Sequence, residues 1–475
     1  MEWFDATGSE FARQVLQRGS AAIYLIAFAS TFAQFPALLG ERGLSPVRDY
    51  LRDAGHRLPT VFRWHYSDRM LRLLCVVGIL IAASLVAGLP QAGPPWVPML
   101  AFLVIWALYL SIVTAGQTFY SFGWESLLLE AGFVVAFLGS NEVAPPLLVI
   151  VFLRWLVFRL EFGAGMIKMR GGREWRDLTA LMYHHETQPM PNPMSRWVHL
   201  LPPWVHRLEV IGNHFAQLVV PFFLFAPQPV ASIAALIILA TQLWLVLTGN
   251  FAWLNWLTIV LATSALGDGV VHAFIPAWPA EHVYAETPLW FTIVVIAVVG
   301  WLAVLSFFPA RNLLSRRQLM NSSFNRFHLV NAYGAFGSVT KHRDEIEIDG
   351  TLAEEPGEDD WVPYAVRGKP GDPRRIPGQF APYHLRLDWL MWFLALGAPG
   401  GGWFRMLLVR LLEADRPTLT LLAGDPFGGA RPRWVRARIV RYRFATRAER
   451  RETGLWWMRG EPRSFVAPVS LGRRP

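Results

Sequence analysis

The chain has 475 residues, 53% hydrophobic and only 17% charged, whereas soluble domains carry about 25% charged residues, so the composition excludes an ordinary water-soluble protein. Its single cysteine, Cys75, excludes an intramolecular disulfide, a cysteine-based metal site and a CxxC redox pair. The net charge of +9 is uneven, with 17 basic against 18 acidic residues in 1–308 and 27 against 17 in 309–475; this favours an anionic membrane surface or acidic partner over nucleic acid, for which there is no motif.

Taken in order, residues 1–20 are polar, and the first apolar run, AAIYLIAFASTFAQFPALL (21–39), reads as a retained anchor. Further spans are predicted at 70–90, 96–115, 123–139, 145–168, 206–226, 229–248, 250–267 and 288–308. Each approaches the ~20 residues needed to cross ~30 Å of hydrocarbon. That makes about nine, with 123–139 and 250–267 open to a re-entrant path. Loops 39–69 and 168–207 carry six basic residues each, and the positive-inside rule places both, with the C-terminal region, on the cytoplasmic side. Only three of the 44 basic residues are lysines. That bias, with abundant alanine, points to a GC-rich bacterial genome and so to a bacterial plasma membrane.

Beyond Arg311 the pattern changes. KHRDEIEIDGT (341–351) alternates as a strand and closes on a predicted Asp349-Gly350 turn. PRWVRARIVRYRF (432–444) also alternates, with a bulge expected at 439–440. Between them Trp389, Trp392, Phe393 and Leu396 follow helical spacing, closed by Gly397. A second helix is predicted over 403–413. The expected fold is a polytopic α-helical membrane bundle, 1–308, followed by a strand-rich, β-sandwich-like extramembrane domain, 309–475, with one or two helices laid on it.

Arg154, Glu161 and Lys168 recur every seven residues, so a helix sets them on nearly one face. Charges at membrane depth face a bundle interior or a wet cavity. Arg154 and Glu161 either lock the bundle through Glu125 and Glu130 or shape such a cavity. Lys168 either snorkels to the headgroups or serves as a desolvated base. His184 and His185 are adjacent, with no HExxH or cysteine pair nearby, so no metal is expected. Glu209, Asn213 and His214, with His184 and Glu186, suit a polar pocket at the membrane edge. QPMPNP (188–193) makes a stiff loop. The arginines at 436, 438, 441 and 443 read as the solvated face of an edge strand or a headgroup-docking stripe. No GxSxG elbow, P-loop or dinucleotide fingerprint occurs, so the chain is not read as a lipase itself.

Several words carry a resemblance: FGWESLLLEAGF (122–133), FRLEFGAGMIKMRGGREWRDLTALMYHHETQPMPNPMSRWVH (158–199), AYGAFGSVT (332–340), APYHLRLDWLMWFLALG (381–397) and the WWMRG region. Together, and in this order over roughly 115–470, they resemble the lipase maturation factor family. His185 departs from that pattern, which carries an aromatic residue between the His and Glu of the HxETQP word. The resemblance implies a chaperone rather than an enzyme, in contact with membrane lipid, without a cofactor, whose client is an exported lipase or other hydrolase. It assigns contact or scaffold roles to Trp175, Asp177, Tyr183, His184, Glu186, Thr187, Gln188, Trp389 and Trp392. Vertebrate members place the C-terminal domain in the ER lumen, opposite to the charge-based orientation, and the sequence does not choose between the two. FGAGMIKM (162–169) with Trp175 is also similar to vitamin K-dependent carboxylase and HTTM-type membrane proteins, in which a lysine at the matching place acts as a base. That similarity implies a membrane enzyme acting on a lipid or peptide, with Lys168 as base and Arg154, Glu161 and Glu130 around it.

Overall fold

The computed structural model describes residues 3–54, 58–279 and 281–472. In chain order the bundle comprises α1 (Glu10–Leu39), α2 (Asp68–Ala87), α3 (Trp96–Ala115), α4 (Gly123–Val135), α5 (Leu147–Arg170), the short α6 (Leu181–Thr187), α7 (Pro203–Leu218), α8 (Val230–Thr248), α9 (Leu254–Ala262) and α10 (Leu289–Leu305). Among the described residues six helices are long and apolar enough to cross a membrane: α1, α2, α3, α7 extended to Phe225, α8, and α10 extended to Leu314. Their outward faces leave Leu73, Leu80, Ile233, Leu247, Ile293 and Val304 exposed, a surface suited to lipid and not to water. This is a multi-pass integral membrane protein.

The nine predicted spans reduce to six, or seven if the bent pair Leu254–Ala265 and Asp268–Phe274, which meet at 108°, is counted as one. The run 123–139 folds as α4, whose 13 residues are all buried; at 1.5 Å per residue it reaches only about 20 Å. The run 145–168 folds as α5, whose 24 residues are long enough but carry Arg154, Arg159, Glu161, Lys168 and Arg170. α5 packs against α4, α7, α9 and α10, so it occupies the centre of the bundle.

Beyond the bundle lie β1 (Arg343–Thr351), β2 (Val362–Tyr364), α11 (Arg386–Ala395), α12 (Gly401–Leu412), β3 (Trp434–Phe444), β4 (Trp457–Arg459) and β5 (Arg463–Val469). The strands form one antiparallel sheet in the order β2-β1-β3-β4, with β5 also paired to β3. It is not a sandwich, because helices supply the second layer: α11 packs on β1 and α12 on β3. Asp349 and Gly350 do not turn but continue β1 opposite Arg436 and Val435. Gly350 is required there by close packing, since a Cβ would meet Tyr364 and Phe427 at 2.9 Å. The β1–β3 register runs unbroken through 439–440, and the irregularity lies on the β5 side near Ala437.

β3 is a central strand, so its arginines are not an edge stripe. Arg436 and Arg438 reach Asp349 at 3.2 and 2.8 Å, Arg441 reaches Asp344 at 3.0 Å, and Arg443 pairs with Glu449. Neighbouring carboxylates account for the stripe without any lipid.

One continuous apolar core joins bundle and sheet. Two buried ion pairs fix α4 within it. Arg159 of α5 pairs with Glu130, which also accepts from the Asn331 amide and, at 2.8 Å, from the Tyr333 hydroxyl. Arg386, at the start of α11, pairs with Glu125. The partners expected for α4 were Arg154 and Glu161, and neither takes that role. Arg159 lies five residues past Arg154, about 140° further round the helix, and that is the face α4 covers. Arg154 instead donates to the carbonyls of Ser264 (3.0 Å) and Leu224 (3.3 Å).

Candidate functional site: a cavity between bundle and sheet

A cavity of about 990 Å³ lies between α5, α6, α7, α8, α9, α11 and the 333–340 segment. The residues placing these walls are legible one by one. Gly163 lets the 329–340 segment press on α5, because a Cβ there would stand 2.5 Å from the Tyr333 carbonyl oxygen. The stiff Pro-rich loop is clamped from the sheet side: Arg343 of β1 donates to the carbonyls of Glu186 (2.8 Å), Gln188 and Pro189 (3.2 Å), and Lys369 donates to Pro189 (3.3 Å) while pairing with Glu345 (3.0 Å). Burial pushes the Lys369 amine down to about 8 against the pull of Glu345.

One wall carries a relay of polar side chains. Lys168 donates to Asn213 Oδ1 and Gln217 Oε1, both at 2.9 Å, and lies 4.5 Å from the Trp175 ring centroid. Gln217 then donates to Glu161 at 3.3 Å, Gln242 donates to Glu161 at 2.6 Å, and Asn255 donates to Gln242 at 2.7 Å. Lys168 is 7% exposed, so it does not snorkel to headgroups. The opposite wall is aromatic. Trp389 packs on Trp124 at 4.6 Å between centroids, and Trp392 donates its indole N–H to the Thr187 carbonyl at 3.0 Å. His184 lies parallel to Phe251 and edge-on to Phe336, and burial pushes its imidazole down to about 3, leaving it neutral.

Of the contact or scaffold residues expected from sequence, Trp175, His184, Thr187, Gln188, Trp389 and Trp392 line this cavity. Gln188 also holds the loop, donating to His185, Ser195 and Thr248. Glu186 turns away to accept the Phe444 amide at 2.7 Å, so it leaves the pocket proposed with Glu209. Tyr183 sits under Lys341, and Asp177 is exposed; neither lines the cavity. Of the four residues in the enzyme reading, Lys168 and Glu161 line it, and Arg154 and Glu130 are built into packing elsewhere. Sequence reasoning missed Gln217 and Gln242, although a glutamine inside an apolar run is a readable signal. It also missed Arg159, Arg343 and Arg386, whose roles depend on distant partners.

The words 122–133, 158–199, 332–340 and 381–397 all contribute to these walls. Comparison with known families gives the same grouping: the Lipase maturation factor transmembrane domain matches residues 11–273, and the Lipase maturation factor C-terminal domain matches residues 329–467. Lipase maturation factor 1 from Bos taurus is 38% identical over 508 residues, covering 96% of this chain and 89% of that protein. The chain belongs to the lipase maturation factor family. The Homo sapiens relative, Lipase maturation factor 1, is 37% identical, covering 97% and 88%, and Homo sapiens Lipase maturation factor 2 is 28% identical, covering 98% and 83%. No solved structure gave a significant match. These matches favour the maturation-factor resemblance over the carboxylase one. Both matched regions of this lipase maturation factor family member supply walls of the cavity, the first through α5 to α9 and the second through 333–340 and α11.

Proposed function

We propose that this protein helps exported lipases reach an active, assembled state, acting without chemistry of its own. The observation that carries this reading is the convergence of the family's sequence words on one cavity, aromatic on one wall and polar on the other. Such a lining suits binding of an apolar segment oriented by a few polar contacts. Trp389 and Trp392 engage the client, and the clamped 186–193 loop holds the rim rigid. The bundle, residues 1–308, anchors the site in the membrane, and residues 309–475 present it. The arginine- and alanine-rich composition supports a bacterial plasma membrane as its location.

A second reading, a membrane enzyme with Lys168 as base, has in its favour that Lys168 borders the cavity. Against it, two amide oxygens and an indole face surround the amine, partners that favour the ammonium over the free amine a base requires. The discriminating experiment deletes the gene in its host and restores either wild type or Lys168→Ala at matched abundance. The activity per unit mass of each exported lipase is then recorded. Lys168→Ala loses two hydrogen bonds, a cost of about 1–3 kcal/mol, and is expected to restore lipase activity as wild type does. Failure of Lys168→Ala alone, at normal abundance, would favour the enzyme.

A further inference from the structure

On one side of the cavity His185 of α6 meets His206 and Glu209 of α7. His206 and Glu209 are three residues apart, so α7 presents both on one face. His185 Nε2 lies 3.4 Å and His206 Nδ1 3.3 Å from the same atom, Glu209 Oε2, and the three ligand atoms lie within 4.8 Å of one another. Both histidines are buried and Glu209 is half-buried.

The surroundings are those of a ligand set. Nε2 of His206 faces the His199 carbonyl at 3.3 Å, which can only accept, so the tautomer protonated on Nε2 satisfies that carbonyl. In that tautomer Nδ1 presents its lone pair to Glu209 Oε2, the arrangement in which both atoms can bind one cation placed between them. A charge-assisted N–H to carboxylate bond is about 2.7–2.9 Å long, and neither contact is that short. Tetrahedral coordination with metal–ligand bonds of about 2.0–2.1 Å has ligand–ligand edges of about 3.3–3.4 Å; the two edges that meet at Glu209 Oε2 match this, and the remaining edge, between the two imidazoles, lies within 4.8 Å. The second carboxylate oxygen, Glu209 Oε1, is held by the Trp244 indole N–H at 2.6 Å, so two of the three ligands are oriented from behind, as metal ligands are. Nδ1 of His185 is buried without a hydrogen-bond partner, so apart from Glu209 itself no protein group fixes which of its nitrogens carries the proton.

We propose that His185, His206 and Glu209 form a site for Zn²⁺ or a cation of similar preference. Two imidazole nitrogens and one carboxylate oxygen suit this ion, and three protein ligands leave a fourth position for water. That water comes from the cavity, which His185 and Glu209 both line. Sequence reasoning weighed His184 with His185 as an adjacent pair and expected no metal. The helix instead turns His184 to Phe251 and Phe336 and brings His185 to α7.

The test uses the full-length protein in detergent, stripped with a chelator and titrated with Zn²⁺, then separately with Co²⁺. One zinc per chain is expected, and the cobalt form is expected to show the intense visible absorption of a four-coordinate ion, bleached by added zinc. His185→Phe and His206→Gln are expected to weaken zinc binding by more than the roughly 10–100-fold that loss of an outer partner costs. His184→Phe is expected to leave it unchanged. Sub-stoichiometric zinc, a weak six-coordinate cobalt spectrum, or equal zinc affinity in wild type and His185→Phe would each overturn the proposal. The cobalt spectrum of wild type decides the matter even if a variant fails to fold.

Discussion

Beside the shared apolar core and the Arg343 clamp, one buried side chain of α11, Arg386, ties the sheet side to α4 of the bundle. Arg386 is fully buried, pairs with Glu125, donates to the Phe119 carbonyl at 3.0 Å and lies 3.5 Å over the Tyr120 ring. Arg386→Met keeps most of the volume and removes the charge, leaving Glu125 buried with the Tyr109 hydroxyl and the His384 ring. With Arg386 in place, burial first and the Arg386 charge second push His384 down to about 3, and the variant keeps only the first of these. Breaking a buried pair from one side costs about 3–5 kcal/mol, a large share of a total stability of about 5–15 kcal/mol. Glu125→Leu alone should cost a similar amount by stranding Arg386. The double variant replaces the pair by apolar groups and should recover most of the loss, because such replacements are often near neutral. Denaturant unfolding in detergent, followed by tryptophan fluorescence for wild type, both singles and the double, measures the coupling directly. The account requires a coupling of at least about 2 kcal/mol. Additive losses, or single variants that unfold like wild type, would refute the claim that this pair joins the two parts.

Further outcomes follow from the same geometry. Burial raises the Asp388 carboxyl from 3.8 to about 6, against the pull of the Gly368 amide and Lys369. Its contribution to stability is therefore complete below pH 3.8 and is lost as pH rises through 6, an effect of about 3 kcal/mol at most. Asp388→Asn should accordingly stabilise the protein at pH 7.5, with the gain shrinking steadily toward pH 4 in parallel melts; a gain independent of pH would contradict this. Gly163→Ala puts a methyl group 2.5 Å from a backbone oxygen and should cost about 1–3 kcal/mol with loss of the cavity wall, read as a lowered melting temperature. Gly269→Ala, where an added Cβ meets no atom within 4 Å, serves as the control and should melt like wild type.

Much of the architecture was readable because apolar runs and alternation report burial locally. The strands 343–351 and 434–444, both sheet-side helices and the polar stripe of α5 follow from spacing alone. The span count did not, because hydropathy cannot see that α4 stops after 13 residues inside protein or that the chain bends by 108° after Ala265. Charge pairing was the least legible feature. Glu125 waits for an arginine 261 positions away, and Glu130 takes Arg159, which lies off the face that the seven-residue spacing picks out. The edge-strand reading of β3 failed for the same reason: its arginines find carboxylates on β1 and in the 354–360 loop, and only the register reveals them. Within the site, Trp389, Trp392 and Thr187, expected as contact or scaffold residues, lie on the cavity wall, whereas Glu186 and Tyr183 point out of the cavity because α6 is a helix.

The central claim is that this protein matures lipases through the cavity between bundle and sheet. The most direct measurement expresses it in cells lacking their own maturation factor, together with a secreted lipase, and records lipase activity per unit mass. Wild type is compared with Gly212→Trp, because Gly212 lines the cavity and an added Cβ there meets no atom within 4 Å, so the indole can occupy the space while the helix is kept. The account predicts that wild type raises specific activity and that Gly212→Trp, at equal abundance, does not. Unchanged lipase activity with wild type, or full rescue by Gly212→Trp, would contradict it.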